Sequence, residues 1–193
     1  INGYKGKYKF KVNLLGNHNM LNVSASIIVS LLLGIKIKVI KEGLSNYKGV
    51  KRRFSLIGKK NKSLVIDDYA HHPTEILATY LAAKKINKNV VVVFQPHRFS
   101  RTKLLMKEFI KILSKITKLY ILKTYSAGEK VLKEATAKTL YEKLLVGNKN
   151  VVYINTQIKL KKYLNLEADQ NGIILFMGAG SITKIAHDFV NNP

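Results

Sequence analysis

Residues 63–95 read SLVIDDYAHHPTEILATYLAAKKINKNVVVVFQ. Two short apolar runs, at residues 63–68 and 90–95, enclose an amphipathic segment at residues 73–85. A strand, a helix and a second strand in this order are typical of a βαβ unit, in which a helix joins two parallel strands. The pattern therefore predicts a parallel sheet covered by helices.

The same alternation continues to the end of the sequence. Further strands are predicted over residues 118–123, 151–154 and 172–177. Further helices are predicted over residues 102–115, 136–145, 158–164 and 181–190. Short strands alternating with helices at this spacing indicate an α/β fold with a mainly parallel, Rossmann-like sheet and helices on both faces.

The first 54 residues follow another pattern. Residues 8–15 alternate apolar and polar side chains, which predicts a strand that ends at Gly16. A helix is expected from Asn17, and because apolar residues occupy all its sides we expect it to be largely buried. A second helix is predicted over residues 37–45, followed by a basic connection at residues 46–54.

Composition limits the classes of protein that need to be considered. The chain has 193 residues, 47% of them hydrophobic, which is enough for one full domain and part of another. It has no cysteine, so disulfides and thiolate metal sites are excluded. The longest apolar run, residues 27–35, is too short to cross a bilayer, and we expect a cytoplasmic protein without membrane insertion.

The formal net charge of +23 raises the alternative of a basic module that binds nucleic acid or an anionic membrane. Arginine, which proteins prefer for reading nucleic acid, occurs only four times, and the lysines are scattered along the chain. We therefore favour a lysine-rich solvated surface without a nucleic-acid partner.

Polar motifs follow the predicted strands, where open α/β sheets bind their ligands. In the segment QPHRFSR at residues 95–101, Arg98 and Arg101 are three residues apart at a helix start and are expected to project together. Two guanidinium groups there predict a clamp for a carboxylate or phosphate, and two solvated surface arginines are the alternative.

The segment DDYAHHP at residues 67–73 pairs carboxylates with imidazoles. These side chains suit a metal site or acid–base catalysis. Alternatively, Asp68 binds ribose hydroxyls or an arginine, and His72 is only a helix-start residue before Pro73.

Two weaker signals complete the pattern. Asn19 and Asn22 share a face at the first turn of the predicted helix, where their amides would suit an adenine edge or serve only as exposed helix-start residues. The turn GAGS at residues 178–181 would let backbone amides approach an anion. A Gly-x-x-x-x-Gly-Lys-Ser/Thr loop for triphosphate does not occur in the sequence.

Six blocks together resemble the Mur ligases. In order they are GNHNMLN (16–22), YKGVKRRF (47–54), DDYAHHPTE (67–75), FQPHRFSRT (94–102), YSAGE (125–129) and GAG (178–180). The third and fourth blocks are similar to the branch of the family that adds L-alanine, whereas the related murein-peptide ligases differ at the fourth. Ser181 departs from the Asn that usually follows Gly-Ala-Gly in that branch.

The resemblance implies an ATP-dependent acid:amino-acid ligase of peptidoglycan synthesis. Such an enzyme activates UDP-N-acetylmuramate with ATP and Mg²⁺ and joins the resulting acyl phosphate to L-alanine. Residues 1–53 would be the end of the central ATP-binding domain and residues 54–193 the C-terminal domain. Because the sequence starts at Ile1 and lacks the phosphate loop, we expect a fragment that is inactive without an N-terminal half.

The resemblance also implies roles for individual residues. The expected nucleotide contacts are His18, Asn19, Asn22, Arg53 and Asp68. The expected L-alanine contacts are Tyr69, His71, His97, Arg98 and Arg101. Either His71 or His97 would accept the proton of the alanine amine, and the Mg²⁺ ligands would lie mostly in the missing half.

Overall fold

The computed structural model describes residues 7–12, 17–47, 49–147 and 150–191, without the side chains of Asn17 and His18. The chain divides into two compact units, Ile1–Val50 and Lys51–Pro193. Each unit is built from its own elements, and the second contains the sheet.

The first unit contains two helices, α1 (Asn17–Leu32) and α2 (Ile37–Asn46). The strand predicted over residues 8–15 is wrong in its described part, because residues 7–12 have no regular structure. Residues 13–15 lie outside the described residues. An isolated strand leaves its backbone groups unpaired, and the described residues of this unit supply no partner strand.

The expected burial of α1 is also wrong. Of its described side chains only Val23 is buried, whereas Leu21 and Leu32 are 72% and 69% exposed. A helix that is apolar on all sides needs neighbours on all sides to be buried. In the part of its unit that the structure describes, α1 has a single helical neighbour, α2.

The second unit is built around one sheet. Its strands are β1 (Ser55–Lys60), β2 (Ser63–Asp68), β3 (Val90–Phe94), β4 (Leu119–Leu122), β5 (Val151–Ile154) and β6 (Ile173–Met177). The order across the sheet is β1-β2-β6-β3-β4-β5, with β1 antiparallel to β2 and all other pairs parallel. This confirms the predicted mainly parallel α/β sheet.

Helices cover both faces of the sheet. They are α3 (Pro73–Ile86), α4 (Phe99–Leu104), α5 (Met106–Leu113), α6 (Ala137–Leu144), α7 (Gln157–Ala168) and α8 (Ile182–Asn191), with a short 3₁₀ helix at Lys133–Ala135. One core cluster joins the sheet to α3, α5 and α6, and a second joins its other face to α7 and α8. Strands buried on both faces are continuously apolar, as Val90–Phe94 is.

Two local predictions were incomplete. Strand β1 was not predicted, because it is a half-buried edge strand with lysines at residues 59 and 60 in place of a long apolar run. The helix predicted over residues 102–115 begins earlier, at Phe99, and is interrupted at Leu105. Arg98 has a φ of 69°, outside the helical region, which fixes the start of α4 at the next residue.

The two edges of the parallel strands differ in chemistry. At the amino edge, where the strands begin, Glu167 is buried and accepts hydrogen bonds from the Tyr120 hydroxyl (2.7 Å) and Lys118 Nζ (2.7 Å). Ser63 Oγ donates to the Glu167 carbonyl and accepts from the Gly172 amide. Burial, followed by the hydrogen bond to Glu167, raises the pKa of Tyr120 far above its usual range.

Among the residues that the structure describes, no helix combines the length and apolar character needed to cross a membrane.

Candidate active site

The candidate site lies at the carboxyl edge, where the parallel strands end. Asp68 of β2 and Phe94 of β3 both pair with Met177 of β6, so these strands end side by side. Beyond β3 and β4, His97 and Tyr125 form a further parallel bridge. The loops that follow β2, β3, β4 and β6 therefore meet at one place.

Asp68 is a buried anchor between the β2 loop and the residues before β1. One carboxylate oxygen accepts from the Phe54 amide and the other from the Ala70 amide, both at 2.7 Å. Burial raises the pKa of Asp68, although these bonds and nearby Arg53 act to lower it. A ribose contact would therefore have to be made beside two existing backbone bonds.

Asp67 is still more buried, with 1% of its surface exposed. Its Oδ2 lies 3.8 Å from Arg52 Nε, and Thr183 Oγ1 donates to Oδ1 at 3.3 Å. Burial is the main reason why the pKa of Asp67 is raised. The arginine that forms an ion pair in this loop therefore pairs with Asp67, whereas Asp68 has Arg53 only as a nearby charge.

His72 caps α3. Its Nδ1 accepts from the Thr74 amide at 3.4 Å, while Glu75 Oε2 accepts from the His71 and His72 amides at 3.1 and 3.2 Å. Pro73 occupies the first helical turn, where a missing N–H costs nothing. His72 therefore stands at the helix start, as the sequence predicted.

His71 has a defined tautomer. Its Nδ1 lies 2.9 Å from the Tyr69 carbonyl oxygen, which can only accept, so Nδ1 carries the proton. In the neutral ring the lone pair is then on Nε2. The Tyr69 ring meets the His71 ring edge-on, with centroids 5.2 Å apart.

His97 has the opposite tautomer. Its Nδ1 lies 3.4 Å from Arg101 Nη1, and because a guanidinium only donates, Nδ1 accepts and the proton of the neutral ring is on Nε2. Burial, then the charges of Arg101, His71 and Arg98, lower the pKa of His97. Its ring lies 6.2 Å from the His71 ring and stacks on Tyr125 at 5.4 Å.

Arg98 and Arg101 flank the start of α4, but the helix terminus already has an anion. Glu129 accepts from both the amide and the hydroxyl of Ser100, and these bonds lower the pKa of Glu129. Arg98 is exposed and Arg101 half-buried. A substrate carboxylate here would therefore rely on the guanidinium groups and not on the Ser100 amide. The helix terminus would then contribute less to anion binding than the sequence predicted.

The Gly178–Gly180 turn is packed tightly. A Cβ on Gly178 would lie 2.8 Å from the Gln95 carbonyl oxygen, and one on Gly180 would lie 2.6 Å from Tyr125 Cγ. The Gly178 amide already donates to the Asp68 carbonyl at 3.1 Å. That amide is therefore unavailable for the anion contact considered from the sequence.

The expected nucleotide contacts are distributed over both units. In the first unit, Asn22 is exposed and Asn19 half-buried on α1, and the His18 side chain lies outside the described residues. In the second unit, Arg53 is exposed, with its Cζ 5.7 Å from the Tyr69 ring centroid.

Sequence reasoning did not single out four residues of the site. They are Arg52, Gln95, Tyr125 and Glu129. All four stand inside the quoted blocks, and the last three lie at the ends of β3 and β4, so strand-end position was the available signal for them. Arg52 stands before β1, which was not predicted, and its role depends on tertiary contacts with Asp67, Tyr69 and the Gly178–Gly180 turn.

In the part of the chain that the structure describes, no three His, Cys, Asp or Glu side chains are grouped to hold a metal ion. Both aspartates of the β2 loop are instead occupied by backbone amides, Thr183 or Arg52. These residues do not fit a Mg²⁺ site.

This chain is similar in sequence and in fold to known proteins. It is 37% identical over 187 residues to the UDP-N-acetylmuramate--L-alanine ligase of Carboxydothermus hydrogenoformans, covering 96% of this chain and 40% of that protein. For the enzyme of the same name from Rickettsia prowazekii, the identity is 40%, over 93% of this chain and 38% of the relative. This chain thus spans about two fifths of the length of these curated relatives.

A solved structure agrees with the sequence comparisons. UDP-N-acetylmuramate-alanine ligase MurC from Thermotoga maritima superposes with a TM-score of 0.77 at 30% identity, covering 98% of this chain and 40% of that one. The family model described as Mur ligase, glutamate ligase domain, matches residues 52–180, which is most of the second unit. The chain therefore belongs to the Mur ligase family.

Proposed function

We propose that this chain is part of an ATP-dependent ligase that joins L-alanine to UDP-N-acetylmuramate in cytoplasmic peptidoglycan synthesis. Residues 1–53 would form the end of the ATP-binding domain and residues 54–193 the C-terminal domain. The activity would need the remaining three fifths of the protein, because this chain carries no phosphate loop.

One observation carries the proposal. Tyr69, His71 and His97 lie in one row of ring contacts at the carboxyl edge, with Arg101 on His97. Such a row offers an apolar surface for a small side chain beside cationic groups for a carboxylate. L-Alanine has both features, and the relatives at 37% and 40% identity are named for that substrate.

In the proposed reaction, Arg98 and Arg101 hold the alanine carboxylate and the amine faces His71. The ammonium group of L-alanine first gives a proton to His71, which frees the nitrogen lone pair. The lone pair attacks the carbonyl carbon of the acyl phosphate, and the C–N bond forms as the C–O bond breaks and phosphate leaves. The nitrogen then loses its second proton to the departing phosphate. Holding both reactants in this geometry lowers the barrier, because the reaction becomes effectively intramolecular.

The hydrogen bonds favour His71 over His97 as the proton acceptor. His71 Nδ1 is engaged as a donor to Tyr69, so Nε2 has the lone pair that a base needs. Burial, the Arg101 guanidinium, His71 in its charged form and the Arg98 guanidinium lower the pKa of His97 and so oppose its protonation. We therefore propose that His71 accepts the proton and that His97 remains neutral and orients the substrate.

The proposed nucleotide contacts are those that the family resemblance implies, residue by residue. His18, Asn19 and Asn22 would bound the adenine, Arg53 would reach the nucleotide and Asp68 its ribose. Asparagine amides suit the donor and acceptor edge of adenine. Mg²⁺ would be held by the part of the enzyme that this chain does not include, since the described carboxylates do not fit it.

Reconstitution tests the proposal. The chain is combined with a separately expressed N-terminal half of the Carboxydothermus relative, and phosphate release is measured with UDP-N-acetylmuramate, ATP and L-alanine. We expect release that depends on L-alanine and on both polypeptides. Preference for a tripeptide over L-alanine would instead indicate a murein-peptide ligase, and no amine-dependent release from two folded halves would contradict the proposal.

Arg98→Lys tests the carboxylate clamp in the same assay. Lysine keeps the charge but cannot form two parallel hydrogen bonds, so the KM for L-alanine should rise. An unchanged KM would exclude the clamp. Salt-sensitive binding of the chain to any polyanion, unaffected by Arg98 or Arg101 substitution, would favour the basic binding module instead.

A further inference from the structure

We infer that Arg52 is a positioning residue that closes a ring of contacts around the candidate L-alanine pocket. The inference rests on the proposed function for the identity of the pocket. The ring itself is a property of the second unit and can be tested without catalysis.

The Arg52 side chain joins two loops at the carboxyl edge. Its Nη2 donates to the carbonyl oxygens of Gly178 (2.8 Å) and Gly180 (3.3 Å). The same guanidinium lies over the Tyr69 ring, with Cζ 4.6 Å from the centroid. One planar cation thus links the Gly178–Gly180 turn to Tyr69.

The backbone of Arg52 strengthens this link. Its carbonyl oxygen accepts from the Tyr69 amide at 2.7 Å, and its φ of 60° turns the chain so that carbonyl and side chain both reach the site. A positive φ is unfavourable for a residue with a Cβ and persists only where other contacts hold it. Here the contacts to Tyr69 and the turn do so.

The other side of the turn leads to the histidines. Gly180 approaches Tyr125 so closely that a Cβ would lie 2.6 Å from Tyr125 Cγ. Tyr125 stacks on His97 at 13° between planes, and His97 faces His71, which meets Tyr69 edge-on. The contacts therefore close a ring that runs Arg52, Gly180, Tyr125, His97, His71 and Tyr69.

Arginine suits this position better than lysine would. A guanidinium can donate to two carbonyls while its flat face stacks on an aromatic ring, whereas an ammonium is a compact point charge. Only 28% of the Arg52 side chain is exposed, and Asp67 stands 3.8 Å from Nε as a buried counter-charge. Because Nη2 is used on the turn, we place Arg52 behind the pocket wall and not on the substrate.

The test uses the whole chain with ¹³C-labelled histidine and observes the ring resonances of His71 and His97 by NMR. Arg52→Met should shift both resonances, since Tyr69 and Tyr125 impose ring-current shifts on them and both would move. Arg52→Lys should restore the wild-type positions only in part. Unfolding curves of each variant show whether the chain remains folded.

Two control variants separate positioning from stability. Lys51→Met removes an exposed neighbouring charge, and Glu167→Ala breaks the buried network at the amino edge. Both should leave the two resonances in place. Unchanged His71 and His97 resonances in folded Arg52→Lys or Arg52→Met would overturn the inference, as would equal shifts in Glu167→Ala.

The reconstituted enzyme provides the second readout. A pocket wall displaced by about 1 Å is expected to cost about 100-fold in kcat/KM for L-alanine, with the KM for ATP unchanged. A rise in the KM for ATP as large as the rise in the KM for L-alanine would contradict a positioning role. If the wild-type pair shows no L-alanine-dependent activity, the proposed substrate fails, while the NMR comparison still decides whether Arg52 closes the ring.

Discussion

The two edges of the parallel sheet solve the problem of buried polar groups in different ways. At the amino edge, both oxygens of the Glu167 carboxylate have donors. At the carboxyl edge, Arg52 Nε and Asp67 Oδ2 are buried, lack hydrogen bonds and form only an ion pair at 3.8 Å, and Gln95 Oε1 is buried without a hydrogen-bond partner in the described part of the chain. Incompletely paired buried groups destabilise a fold, and their concentration at one edge supports the proposal that this edge binds the ligand.

Backbone conformation differs in a related way. Arg52, Phe54, Arg98 and Ala127 have positive φ values and stand in segments at the carboxyl edge, whereas the two such residues at the amino edge are Asn61 and Asn171. Asparagine tolerates this conformation better than other residues with a Cβ. Strained residues persist where surrounding contacts determine the geometry, and such residues concentrate at functional sites. Substitutions at the amino edge should therefore change stability, and substitutions at the carboxyl edge should change activity.

The largest expected effect is that of His71→Gln on catalysis. Loss of the proposed proton acceptor should lower kcat about 10²- to 10⁴-fold in the reconstituted enzyme. Unfolding by urea should be nearly unchanged, because the capping bonds of Glu75 use backbone amides. A smaller loss in His71→Gln than in His97→Gln would reverse the assignment of the two histidines.

Glu167→Ala should give the largest loss of stability. It leaves the buried Tyr120 hydroxyl without its acceptor and Lys118 without its partner, and we expect a decrease of about 3 kcal/mol in the free energy of unfolding. Urea titration measures it, with Lys138→Ala, which removes an exposed ion pair, as the control. The same loss in both variants would remove the distinction between the two edges.

Gly180→Ala should affect both properties moderately. The new methyl group would clash with Tyr125, and overpacking of this kind costs about 1–3 kcal/mol. Because Tyr125 stacks on His97, the KM for L-alanine should rise as well. Gly147→Ala, where an added Cβ meets nothing within 4 Å, is the matched control and should be neutral.

The smallest effect is a change in the pH dependence of stability. Burial lowers the pKa of His97 in the folded chain, so the unfolded chain takes up a proton on this histidine at a higher pH than the folded chain does. The free energy of unfolding therefore decreases as pH falls below about 6.5. Wild type should lose stability relative to His97→Gln between neutral pH and pH 5.

Asp67 has a raised pKa, so wild type relative to Asp67→Asn should show the opposite slope, losing stability as pH rises above about 4.

Local patterns predicted the fold well where burial is continuous. Residues 63–68 and 151–154 were placed with the correct bounds, since apolar runs between two turn signals mark strands of a parallel sheet. The early start of α4 was missed because no local pattern marks the positive φ of Arg98, and because Glu129, 29 residues later in the chain, accepts from the Ser100 amide. Strand β1 was missed because its partner, and not its own composition, defines it.

The sequence predicted which residues come together at the site but not the role of each. Spacing and strand ends pointed to His71, His97 and Arg101, and the structure brings these three together. Their division of roles depends on which carbonyl or guanidinium faces each ring, and this is set by tertiary contacts. The role of Arg52 depends on contacts with Gly178, 126 positions later in the chain, which no local pattern encodes.

The capping of α3 has a thermodynamic consequence for the β2 loop. Asp68 holds the Ala70 amide, Glu75 holds the His71 and His72 amides, and the Tyr69 carbonyl holds the His71 ring. The loop is therefore ordered when the domain folds, before any substrate arrives. Binding at this loop should carry little loss of conformational entropy, so a small ligand such as an amino acid can be held by few contacts.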